Sequence, residues 1–300
     1  MSALANRLAG LRRQAGSAEA VASRTTHEAA TGHREEAPSA KATRDATIAH
    51  LRSLLKLRAP AATPAPRSID RSLPGEEISP GLRYHEQWTP WPAGEDPLPL
   101  HGIGQDAIPR GQILAFDTET TGLAGGTGTR AFMIGAADWR DGGLRIRQLC
   151  ITKLAAEEAM LREFTRWLVP ETVLLSYNGK SYDRPLLSTR YRLARLPDPL
   201  LERRHIDLLH PVRRRYRGVW ANCRLATVER ELLGVLREDD LPGSEAPGAW
   251  LAYLRGGGAG KLRRVGLHNA QDVRSLCGLL EAMQDVAEGD STIGPLPAIA

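Results

Sequence analysis

The sequence predicts an α/β fold: a mixed sheet of three antiparallel strands followed by parallel strands, flanked by helices and preceded by a largely disordered N-terminal region. Three observations predict it. Three strand-like runs follow one another with no helix between them, and Asp141-Gly142-Gly143 supplies a hairpin turn between the last two. Beyond them, short apolar runs alternate with segments of helical period, as in a parallel sheet covered by helices. Residues 1 to 67 are dominated by Ala, Arg, Ser, Thr and Glu, too poor in large apolar side chains to offset the entropy of ordering.

Within that basic, Ala-rich tail, "DATIAHLRSLLKLRA" has a helical stripe of Ile48, Leu51, Leu54 and Leu55, ended by the semi-rigid linker "APAATPAPR". Residues 68–110 carry turn signals at Leu73-Pro74-Gly75, Pro80-Gly81 and Trp91-Pro92, which predict an arm of short strands and loops packed on the main domain. The main domain is expected over 111–287. It opens with strands at "QILAF", "AFMIGAAD" and "LRIRQLCI", then a helix over about 155–168 and a buried strand at "TVLLSY". A helix from near Asp183 to about Arg195, a strand at "HIDLL", and a mostly helical remainder ending in a long helix from about Leu262 to Val286 complete it. Residues 288–300 are expected as a flexible tail.

The 300 residues are 42% hydrophobic, enough for a substantial core, and carry a net charge of +5, which favours a polyanionic partner. Cys150, Cys223 and Cys277 form no CxxC pair, so neither a zinc knuckle nor a disulfide framework is indicated; reduced thiols and a cytoplasmic protein are expected. No apolar run approaches the roughly 18 residues of a membrane span, and the opening residues lack the apolar core of a signal peptide.

The first candidate site is "LAFDTETTGL". On a strand, positions i and i+2 share a face, so Asp117 and Glu119 converge behind a buried apolar run. Like charges that close repel, and a divalent cation relieves the repulsion; two solvated acids at a strand end are the alternative. The second site is "LLSYNGKSYDRPLL", where Asp183 stands either as a helix N-cap or as a carboxylate at the C-terminal edge of a sheet. Gly179-Lys180-Ser181 is not a P-loop, because the required upstream glycine is Leu174. In the third, "VGLHNAQDVRSLCGLL", His268 and Asp272 lie one helical turn apart, suited either to general-base work or to a surface ion pair. Glycines 122, 125, 126 and 128 follow the first acidic pair, either to admit a nucleotide or simply as a flexible connection. Arg213, Arg214, Arg215 and Arg217 interleave with Tyr216 and Trp220, a composition suited to single-stranded nucleic acid and also to a solvated helix face. Among His205, Asp207 and His210, Asp207 is read as ending a strand rather than as a metal ligand.

Taken in order, "FDTETTG", "NGKSYD" and "HNAQD" resemble the three motifs of the DEDD, or DnaQ-like, exonuclease superfamily of the ribonuclease H fold, over roughly Gly111 to Val286. "DTETTGLAGGTGT", "YNGKSYDRPLL", "DLLHPVRRRYR" and "HNAQDVRSL" are similar to its YprB-like group. The third motif departs from the family pattern: tyrosine-type members place Tyr four residues before the last Asp, histidine-type members place His five before it, and here His268 takes the tyrosine spacing. The resemblance implies a ribonuclease H-like sheet in which Asp117, Glu119, Asp183 and Asp272 hold two Mg²⁺ or Mn²⁺ ions, with Asp117 bridging them. His268 is implied as the residue that orients or deprotonates water. Thr118, Asn178, Lys180 and Tyr182, with Arg213, Arg214 and Arg217, are the expected nucleic-acid contacts. The implied activity is 3′–5′ exonucleolytic hydrolysis of phosphodiesters at single-stranded DNA or RNA ends. The alternative is a catalytically weak nucleic-acid-binding scaffold of the same fold.

Overall fold

The computed structural model describes residues 69–122, 127–237 and 240–284. The expected N-terminal tail and its helix, Gly125, Gly126 and the expected C-terminal tail lie outside those residues.

The central element is β3 (Ile113–Thr120), buried along nearly all of its length. It pairs antiparallel with β4 (Ala131–Arg140), which pairs antiparallel with β5 (Gly143–Ile151). Between β4 and β5 the chain reverses at Asp141 and Gly142, with φ of 48° and 75°. Two successive left-handed residues match the twist of a tight hairpin, and glycine takes the second without steric cost. On its other edge β3 pairs parallel with β6 (Val173–Ser176), and β6 with β7 (His205–Asp207).

The segment read from sequence as an arm contributes strands of its own. β1 (Glu76–Ser79) and β2 (Leu82–Pro90) extend the same sheet, and β2 pairs with β5 from Leu82↔Ile151 to Pro90↔Gly143. The seven-stranded order is β1-β2-β5-β4-β3-β6-β7, mixed as the sequence predicts.

Helices α1 (Glu157–Arg166), α2 (Asp183–Leu193) and α3 (Leu209–Tyr216) follow β5, β6 and β7. A short α4 (Leu225–Val228) runs into a π-helical turn at Glu229–Leu233; α5 (Ala246–Leu254) and the long α6 (Gly260–Ala282) close the domain. Among the described residues, no helix is long and apolar enough to cross a membrane.

Alternation along β3 divides the core. Leu114 and Phe116 pack in one cluster with Met160, Phe164 and Leu187 of α1 and α2. Ile113 and Ala115 join another, with Leu175 and with Val273, Leu276 and Leu280 of α6. Since side chains two apart share a face, Asp117 and Glu119 continue the row that meets α6, while Thr118 continues the row that meets α2. This parity positions the site.

Candidate active site

The α6 stripe that packs on the sheet runs Leu262, Val265, Asn269, Val273, Leu276, all buried, with one polar member. Asn269, completely buried, donates from Nδ2 to Asp117 Oδ2 at 2.9 Å and accepts from Gln148 Nε2 at 2.8 Å. This approach depends on Gly135, the β4 residue paired with Asp117. A Cβ there would stand 2.0 Å from Asn269 Oδ1, so no side chain larger than hydrogen fits.

Asp183 comes from the opposite face. It is the first residue of α2 and does not act as the helix N-cap; it accepts a hydrogen bond from the Thr118 hydroxyl through Oδ1. Its approach is fixed by Asp207, which ends β7 as the sequence suggests. Asp207 Oδ1 accepts from the Asn178 and Leu209 amides at 2.7 and 3.1 Å, and Oδ2 from the Lys180 amide at 3.0 Å. Asn178 turns the chain at φ 66°, a left-handed conformation that Asn tolerates. The neighbouring Tyr182 hydroxyl donates to the Gly122 carbonyl at 3.0 Å. Of the other two members of the sequence cluster, His205 is buried with Nε2 2.8 Å from Ser176 Oγ, its pKa lowered by burial to about 4, and His210 is exposed.

On α6, one turn separates His268 and Asp272, and Nε2 lies 3.5 Å from Asp272 Oδ2. His268 Nδ1 is 2.7 Å from Asp240 Oδ1, the geometry of an imidazole donating its Nδ1 proton to a carboxylate. Asp272 Oδ1 accepts from Arg237 Nη2.

Burial and mutual repulsion mark the acids electrically. Burial first, then the charges of Asp272, Asp183 and Glu119, push Asp117 well above the usual carboxylate range. Burial lifts Glu119 to about 8, with His268 opposing and Asp272 and Asp183 adding to the rise. Burial raises Asp183 to about 6 against the Thr118 hydrogen bond. For His268, burial would lower the pKa, yet the nearby Asp272, Asp240 and Glu119 outweigh it and raise it.

Such a donor set suits a hard divalent cation, which collects carboxylate oxygens. As the side chains stand, no three acidic, histidine or cysteine groups among the described residues converge closely enough to hold one ion. Asp272 is drawn to Arg237 and Asp183 to Thr118, while the Glu119 carboxylate makes no hydrogen bond to a described residue.

Residues 114–284, more than half the chain and spanning all four acids, match the RNase_H superfamily. The chain belongs to that superfamily. It is 36% identical over 180 residues to YprB, an uncharacterized protein of Bacillus subtilis (strain 168), covering 60% of this chain and 43% of the relative. The chain thus spans less than half the length of that relative. Among solved structures, it is similar to the family B DNA polymerase of Pyrobaculum calidifontis at 18% identity and a TM-score of 0.47, over 59% of this chain and 25% of the polymerase. It is also similar to Escherichia coli Exonuclease I in complex with a dT13 oligonucleotide, at 16% identity and a TM-score of 0.34, over 55% and 45% of the two chains. Likeness at this level says nothing of what this chain does.

Arg213, Arg214 and Arg217 are exposed at the end of α3 and beyond it. Arg213 and Arg217 line a groove of about 480 Å³ with Trp220, Asn222 and Arg224; Arg214 does not. The Lys180 side chain is exposed.

Sequence reasoning missed Asn269, Arg237, Asp240 and Gly135. Asn269 had a signal: it interrupts the apolar stripe of α6 at a core position, and a buried amide needs partners. Arg237, Asp240 and Gly135 had none, because their contacts with Asp272, His268 and Asp117 lie 35 and 28 residues away in the chain or across a strand pair.

Proposed function

We propose that this protein is a metal-dependent nuclease, a 3′–5′ exonuclease that hydrolyses phosphodiesters at single-stranded DNA or RNA ends in the cytoplasm by a two-metal mechanism. The carrying observation is that β3, α2 and α6 bring Asp117, Glu119, Asp183 and Asp272 within reach of one another's charge, with the pKa values of Asp117, Glu119 and Asp183 raised first of all by burial. A protein that only bound a phosphate backbone would gain nothing from concentrating negative charge where that backbone must lie.

The four carboxylates would hold Mg²⁺ or Mn²⁺. When bound, the ions supply charge relief on the phosphoryl oxygens and on the attacking and leaving oxygens. The chain's own residues position the rest. Asn269 fixes one Asp117 oxygen and leaves the other for a ligand. Asp240 orients the His268 ring through Nδ1, directing Nε2 toward Asp272, where it would orient the attacking water. Asn178, Lys180 and Tyr182, on the turn before Asp183, would meet the terminal nucleotide; Thr118 would act through Asp183, to which its hydroxyl is committed. Arg213, Arg214 and Arg217 would follow the strand backbone.

The test compares the parent with Asp117→Asn on 5′-labelled single-stranded DNA and RNA oligomers with Mn²⁺. The parent should shorten them from the 3′ end, and the variant should be inert yet folded. Excess Mn²⁺ should stabilise the parent by about 2.7 kcal/mol at a hundredfold excess over Kd, and the variant far less. A parent that ignores Mn²⁺ and leaves the oligomers whole is a scaffold.

A further inference from the structure

Arg237 follows the π-helical turn and belongs to none of the sequence motifs. Its guanidinium is anchored away from the four-acid site. Nε and Nη2 donate to the two oxygens of Glu229 at 2.7 and 2.5 Å. Glu229 is fully buried and also accepts from Ser275 Oγ at 2.5 Å; Ser275 is itself held by Gln271 Nε2 at 2.8 Å. From that anchor Nη2 also reaches Asp272 Oδ1, and Nη1 lies 3.5 Å from Asp240 Oδ2 and 3.0 Å from His268 Nδ1. A guanidinium present only to neutralise Glu229 would end at that bidentate pair. This one spans from the buried acid to a proposed metal ligand, which its planar fork permits and a lysine's single ammonium would not.

The remaining charge balance sharpens the point. Among the described residues, no lysine or arginine pairs with Asp117, Glu119 or Asp183; of the four acids only Asp272 has a guanidinium. The acid so paired is also the one beside His268.

We propose that Arg237 is the resident cation of the carboxylate site: it neutralises Asp272 while the site holds no metal, and it competes with a divalent ion for that carboxylate. This rests on the metal-binding reading above. Loading the site then transfers Asp272 from the guanidinium to the ion, while Glu229 retains the arginine in place. Arg237 is a positioning residue. It trades some metal affinity for a metal-free site that does not spring apart under its own charge.

Arg237→Gln alone would strand Glu229 as a buried unpaired acid and destabilise the whole fold, which hides any effect on the site. The informative protein is the full chain carrying Glu229→Gln with Arg237→Gln, in which a neutral amide pair replaces the ion pair and can still accept from Ser275. In EDTA this double variant should melt below the parent, and adding Asp272→Asn should restore most of the loss, because the charge that needed a partner is gone. In calorimetric titration with Mn²⁺, the double variant should bind about tenfold more tightly than the parent. Equal or weaker Mn²⁺ binding by the double variant, with a parent that does bind Mn²⁺, overturns the resident cation and leaves the metal site standing. Failure of Asp272→Asn to restore stability overturns it as well. A parent that binds no Mn²⁺ at all overturns both readings together.

Discussion

Two groups of buried charge in this molecule are built on opposite plans. Between α1 and α2, Glu157 is saturated: Arg190 donates to both of its oxygens at 2.5 and 2.7 Å, and Arg130 adds a third bond at 2.8 Å. Around the end of β3, one of four acids, Asp272, is paired with a guanidinium among the described residues, and Glu229 also claims it. A buried ion is tolerated when its partners complete it, and the first group has all of its partners inside the chain. The second does not; its acids come from β3, α2 and α6, and Glu119 and Asp183 are buried. Paired charge fastens two helices; unpaired charge of one sign, on the proposed reading, awaits a cation.

The largest effect should come from breaking the saturated group. Glu157→Gln leaves the buried Arg190 guanidinium without its anion and should cost about 3–5 kcal/mol, or roughly 10 °C in Tm. The loss should be the same in EDTA and in Mn²⁺. A loss that Mn²⁺ repairs would mean the two groups are one system.

The unsaturated group should respond to pH instead. Glu119, raised to about 8, and Asp183, raised to about 6, keep protons in the folded protein that the unfolded chain releases near pH 4. Their stabilising contribution is therefore complete below about pH 4 and is lost as pH climbs through 6 and then 8. The raised pKa of His268 acts in the same direction. The metal-free protein should lose roughly 5 °C of Tm between pH 6 and 9, and Glu119→Gln should lose clearly less. Identical pH profiles for the two proteins would show that Glu119 ionises freely.

How much of this was legible follows from the range of each interaction. The β3 acids could be read because i and i+2 share a face whatever the fold, and the α6 pair because i and i+4 share a turn. The strands of the central sheet announced themselves as apolar runs. Residues 76–90 read as an arm because turn signals surround them; that β2 pairs with β5 is a non-local fact with no mark in either segment. The same holds for Arg237. An arginine that opens the charged run Arg237 to Asp240 looks like surface, and only the fold brings it to Asp272, 35 residues on. The acid contacts were local in pattern, while the groups that balance them were not.

Gly135 joins the sheet to the unsaturated site and allows a milder perturbation. Gly135→Ala puts a Cβ against the Asn269 amide. Either α6 shifts outward or Asn269 gives up Asp117. Overpacking of this kind costs about 1–3 kcal/mol, and activity should fall further than stability alone explains. If Mn²⁺ affinity is unchanged while stability drops, Asn269 supports packing and not Asp117.

The smallest effect, and the complement of the acid site, concerns the exposed arginines. Arg213, Arg214 and Arg217 make no salt bridge with any described residue, so they are an excess of positive charge outside, as the acids are an excess of negative charge inside. Two of them face the groove lined by Trp220, whose ring stacks on Tyr216 at 3.8 Å between centroids. A strand lying there would lose one condensed counterion for each phosphate it presents. Arg213→Ala and Arg217→Ala should then each flatten the log–log salt dependence of single-strand binding by about 0.7, without altering Tm. Arg214→Ala, outside the groove, should flatten it less. Binding measured by fluorescence anisotropy across a salt series separates the three. Equal slopes in all three variants and the parent would make this run a solvated helix face, and the path of the strand to the acids would have to be sought elsewhere on the domain.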